Sequence, residues 1–198
     1  MESNQPLTES ESLALIHKMI HSAKKQFEDN GFFYLLWGWL VFIACTSNYI
    51  LLKINYEYNW IGWMILMPAG GIISFFYGRK ESKKQQYKSY LDEVMMYVLG
   101  AFMFSLFFVL IFMSKLGIAT YPMVMVVYGI WLFISGGAMK FKPLILGGII
   151  NWAFACIAIY MNFETQIIIL AAAVLFGYII PGHMLRSKFS QENKLANS

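Results

Sequence analysis

Six apolar stretches of about 20 residues, none with Asp, Glu, Lys or Arg in its central part, set the limits on what this chain can fold into. A run of that length reads as a helix crossing a hydrocarbon layer roughly 30 Å thick, where each backbone polar group must be satisfied within its own segment. The spans read as 32–52, 60–77, 94–113, 121–139, 144–161 and 167–185. Only Lys140-Phe141-Lys142-Pro143 separates the fourth from the fifth, with two charges and a proline suited to a helix start. The expected fold is all-α: an integral membrane bundle of six transmembrane helices, paired as three hairpins, over residues 31–185. Composition agrees, because 59% hydrophobic and 13% charged in 198 residues is more apolar surface than a soluble domain of that size can bury.

Residues 1–30 differ in character. Thr8-Glu9-Ser10-Glu11 has capping-box spacing, and Leu13, Ile16, Ile20, Ala23 and Phe27 then recur at helical intervals opposite His17, His21, Lys24 and Lys25. This predicts an amphipathic helix on the cytoplasmic side, lying on the membrane surface or packed on the loops there. A cleavable signal peptide is not expected, since the first long apolar run begins only near Gly31. Residues 186–198 read as a second cytoplasmic segment, a tail.

Orientation follows from charge. Arg79, Lys80, Lys83, Lys84 and Lys88 sit between the second and third spans, and a loop so basic resists translocation. Alternating the other connections around it puts thirteen of the fifteen Lys and Arg residues inside, leaving only Lys53 and Lys115 outside. Both termini are then cytoplasmic. Tyr49, Tyr56, Tyr58, Trp60, Trp63, Tyr121 and Tyr160 fall at the outer ends, as headgroup-level aromatic belts do. Thirteen of the fifteen basic residues are Lys, a bias that suggests a bacterial inner membrane. The basic loop is the expected contact for anionic lipid or for a protein partner.

Candidate chemistry is sparse. There is no phosphate-binding loop, nucleophile elbow, zinc-protease helix or haem-attachment motif, and no nucleic-acid motif, so neither an enzyme nor a cofactor is expected. His17, His21 and His183 share the cytoplasmic side without a spacing that unites them, and the methionines of the third and fourth spans read as adaptable packing, so no metal site is expected. Asp92 and Glu93 lie at a span mouth, where solvated carboxylates are ordinary. Cys45 and Cys156 fall at similar depth on two outward-running spans and read as apolar packing.

Three features inside the spans stand out. Asn151 lies on a small-residue face with Gly147, Gly148, Ala155 and Ala158, where it either lines a solute path or hydrogen-bonds helix to helix. Pro68, Gly70 and Gly71 interrupt the second span, and Pro181 the sixth, where freed backbone groups serve either a binding site or close packing. Gly71 to Gly78 and Gly129 to Gly136 share a spacing that duplication or packing would equally produce.

These observations point to a non-enzymatic multi-pass membrane component that binds a cytosolic or membrane partner on its inner face. The alternative is a small permease or channel for a neutral or weakly charged solute, with selectivity resting mainly on backbone atoms. Self-association is compatible with either.

Overall fold

The computed structural model describes residues 30–82 and 90–196, and among them every regular element is helical. In chain order these are α1 (Asn30–Lys53), α2 (Ile61–Ser82), α3 (Tyr90–Ile111), α4 (Thr120–Ala138), α5 (Lys142–Ala158), α6 (Phe163–Val174) and α7 (Ile180–Ala196). A helical turn, Met113–Leu116, and a 3-10 turn, Gly117–Ala119, lead into α4, and a π turn, Leu175–Ile179, joins α6 to α7 without a break. Five helical runs are long and apolar enough to cross a membrane: Gly31–Lys53, Ile61–Lys80, Tyr90–Ile111, Met113–Ala138 and Phe163–Lys188. The sixth apolar helix, α5, has 17 residues, roughly 25 Å at 1.5 Å per residue.

The helix ends depart from the spans read in the sequence, and local chemistry explains each shift. α2 continues past Tyr77 to Ser82, with Arg79 and Lys80 in its last turn, where cations complement the negative end of the helix dipole. α3 is already helical at Tyr90, ahead of the 94 read in the sequence, with Asp92 and Glu93 near that end. α6 begins at Phe163 rather than 167, because the Asn162 side chain accepts the Thr165 N–H at 2.9 Å and caps the helix. Beyond 185 the chain stays helical to Ala196.

Two connections close with the same device. After α1, Tyr56 N–H bonds Leu51 O at 2.9 Å and Asn55 N–H bonds Leu52 O at 3.1 Å, with Asn55 left-handed at φ 53. After α4, Phe141 N–H bonds Gly136 O at 2.9 Å and Lys140 N–H bonds Gly137 O at 3.1 Å, with Lys140 at φ 51. Both are Schellman closures, which glycine usually completes; asparagine tolerates the left-handed backbone, whereas lysine is an uncommon occupant.

The core is built by α1, α4, α5 and the α6–π–α7 run. Val41, Ala44 and Cys45 of α1, Met125 and Leu132 of α4, Leu144 and Ala158 of α5, and Ile167, Leu170 and Leu185 of the last run are all buried. α2 packs on α1 and α3 on α4, at the edges of the bundle. Of their described side chains, only Gly70 of α2 and Val109 of α3 are buried, while Ile65, Phe75, Phe76, Phe104, Phe107 and Ile111 face outward. An apolar exterior of that extent suits a lipid solvent.

Candidate functional site

The closest helix packing surrounds Asn151. α4 and α5 approach through facing glycines: a methyl group added at Gly148 would lie 2.8 Å from the Gly129 carbonyl oxygen, and one at Gly136 would lie 2.7 Å from the Ile145 nitrogen. On its other side α5 meets the π turn, where a methyl at Gly147 would lie 2.8 Å from the Gly177 carbonyl oxygen. Small residues allow this approach because, in lipid, helices associate by van der Waals contact and hydrogen bonds rather than by the hydrophobic effect. Trp152 covers one edge of the seam, its indole N–H donating to Val126 O at 3.2 Å and its ring lying 5.3 Å from that of Phe133.

Asn151 is fully buried in this seam. Its Nδ2 donates to Gly147 O within α5 at 2.9 Å and across to Ala173 O of α6 at 3.2 Å. Both donors are thereby spent on backbone carbonyls, the second just ahead of the π turn. Among the described residues no donor reaches its Oδ1. The small-residue face read in the sequence is thus the contact between α5 and its two neighbours.

The π turn lies where the sequence marks Pro181. The Ile180 N–H bonds back five residues to Leu175 O, widening the helix by one residue immediately before a proline that has no N–H to give. Pro181 and Gly182 are buried, and a methyl at Gly182 would lie 3.0 Å from Leu35 Cδ2 of α1. Pro68 and Gly71 fall elsewhere. Both are exposed on the outward face of α2, and nothing lies within 4 Å of a methyl built at Gly71. Gly70 alone of that group turns inward, and a methyl there would meet Leu40 and Trp37 of α1. The Trp37 indole donates to Ser74 Oγ at 3.1 Å, one turn further along the same seam.

A cluster of tyrosines lies in the core, unforeseen from the sequence. Tyr34 of α1, Tyr128 of α4 and Tyr178 of the π turn are buried, with ring centroids 6.2 Å apart for Tyr34 and Tyr178 and 5.4 Å for Tyr128 and Tyr178. The buried Ser135 hydroxyl of α4 donates to Trp131 O at 2.6 Å. Among the described residues the Tyr178 hydroxyl has no partner. In sequence these tyrosines look like the belt tyrosines, since no polar neighbour at helical spacing marks them as inward.

Charge separates the two ends of the bundle. At one end Phe32 of α1 stacks on Tyr77 of α2 at 4.1 Å, Gly31 abuts the Arg186 backbone, and Lys188 Nζ lies 5.8 Å from the Phe141 ring centroid. Those contacts gather Arg79, Lys80, Lys140, Lys142, Arg186 and Lys188, all exposed, at that end, with Arg79 over the Phe75 ring at 5.3 Å. Lys83, Lys84 and Lys88 lie outside the described residues. At the other end Lys53 pairs with Glu164 at 2.6 Å, the Asn48 side chain donates to Asn59 O at 3.1 Å, and Trp63, Tyr121 and Phe163 form a ring ladder.

Among the described residues, the groups considered for metal or redox chemistry form no cluster. Cys45 is buried and Cys156 exposed, and both are free thiols. His183 is exposed, His17 and His21 lie outside the described residues, and among the described residues no three His, Cys, Asp or Glu side chains form a ligand group.

The chain matches no protein-family model, no curated protein and no solved structure.

Proposed function

We propose that this protein is a non-enzymatic component of a bacterial cytoplasmic membrane, crossing it six times with both termini inside and docking a cytosolic or membrane protein on its basic face. The observation that carries this reading is the asymmetry of the two ends. Six exposed cations gather at one end, whereas the other carries two, Lys115 and Lys53, the latter paired with Glu164. Such sorting is what retention of basic loops in the cytoplasm produces. On this reading α5 is the fifth crossing, its 17 residues shorter than the others because Lys140 just ahead of it and Lys142 at its start reach the headgroups. The spans then pair as α1 with α2, α3 with α4, and α5 with the α6–π–α7 run.

The geometry around Asn151 favours a partner-binding component over a permease. A residue lining a solute path needs hydrogen-bonding capacity turned toward the solute; Asn151 uses both donors to join α5 to α6, and its remaining acceptor, Oδ1, is buried. Reporter fusions at Glu57 and Lys84 test the orientation: activity of a cytoplasmic reporter is expected at Lys84 and of an exported one at Glu57. The reverse would overturn it. Affinity purification from native membranes should return a stoichiometric partner that is lost when residues 1–30 are removed. Solute-dependent flux in proteoliposomes, with no partner recovered, would favour the permease instead.

A further inference from the structure

Lys140 and Lys142 flank Phe141 in the chain, and Lys188 reaches the same ring from another helix. Lys140 lies in the turn after α4, Lys142 opens α5, and Lys188 of α7 holds its Nζ 5.8 Å from the ring centroid of Phe141, which is itself 7% exposed. All three side chains are exposed, and among the described residues none has a carboxylate partner. Like charges gathered at one end of the bundle repel each other, and an anion beside them relieves that repulsion. Lys53 at the other end, by contrast, is paired with Glu164.

The height of the cluster selects the anion. Leu146 and Ile149 face outward within two turns of Lys142, so the lysines stand where the hydrocarbon layer gives way to headgroups. Lys140 holds a left-handed backbone that glycine would adopt at lower cost, so its charge can be removed by K140G without straining the turn. From this placement we infer that Lys140, Lys142 and Lys188 form a site for the phosphodiester headgroup of an anionic phospholipid. The inference deepens the inner-face reading above by assigning a ligand class to that face.

The test uses the full chain in vesicles of phosphatidylcholine containing a minority of phosphatidylglycerol, with spin-labelled lipids of each kind reporting their relative association with the protein. The wild type should prefer phosphatidylglycerol. K142Q and K188Q should each lower that preference by about fivefold, the effect of one basic residue near an anionic surface. K115Q, at the opposite end, should leave it unchanged. K140G should lower it while thermal stability holds or rises, a combination that damage to the fold would not produce. The site is overturned if the wild type shows no preference, if the three lysine substitutions leave it intact, or if inorganic phosphate displaces the labelled phosphatidylglycerol, which would indicate a site for free phosphate. The vesicles present the same lipid to both ends of the bundle. A reversed topology in the fusion experiment would therefore sink the cytoplasmic reading and leave this result standing.

Discussion

α2 and α4 carry nearly the same glycine spacing and use it in opposite ways. Gly71 and Gly78 of α2 have open space where a side chain would be, whereas Gly129 and Gly136 of α4 lie against Trp152, Gly148, Leu144 and Ile145 of α5. The difference is one of neighbours. α4 is lined by α5, α6 and α3, while α2 leans mainly on α1, with Trp63 reaching Tyr121 of α4, and turns most of its surface outward. A glycine pattern in a membrane helix therefore signals the capacity for close approach, and only the surrounding helices decide whether that capacity is used.

Substitutions can break this comparison or sharpen it. The largest effect is expected at the used seam: Gly148→Leu would drive a side chain into Gly129 O and Phe133, costing about 3 kcal/mol or more. The matched change Gly71→Leu should lie within about 0.5 kcal/mol of the wild type. Reversible unfolding in mixed detergent micelles measures both, and equal losses would mean that α2 has a neighbour on its outward face. Asn151→Leu comes next, losing two hydrogen bonds and crowding Gly177, with an expected cost of about 1 to 2 kcal/mol in the same assay. No loss would show that close contact alone holds the seam.

Trp37→Phe removes the indole bond to Ser74 while keeping most of the ring. A change of about 0.6 kcal/mol is expected, the usual size of one interhelical hydrogen bond in a membrane. A much larger change would make α2 less peripheral than its exposure suggests. The smallest effect belongs to Lys53→Gln, because its pair with Glu164 is exposed and screened by salt. Its melting temperature should match the wild type at high salt.

The parts of this architecture legible in the sequence are those that composition alone decides. The apolar stretches are helices, the break between α4 and α5 lies at Lys140 to Lys142, and the small-residue face around Asn151 is buried. Helix ends were less legible, because they depend on single capping interactions. Asn162 with Thr165 three residues later is an N-cap signal that the sequence carries, masked by the apolar run that begins at Ile167. Neither the direction in which Pro68 and Gly71 point nor the inward turn of Tyr34, Tyr128 and Tyr178 could be read, since both depend on which helices become neighbours. The π turn was beyond reach for a related reason. Pro181 announces a disturbed helix, but a kink, a break and a widened turn all satisfy the same missing N–H.

That widened turn has a directional consequence. In an α-helix each residue advances the azimuth by about 100°. The one surplus residue between Leu175 and Ile179 therefore swings all of α7 by that angle relative to α6. Lys188 reaches Phe141 only at the resulting heading; with the surplus residue deleted, its ammonium group would sweep more than a quarter circle away. A device buried midway along the rod thus aims a cation at its far tip.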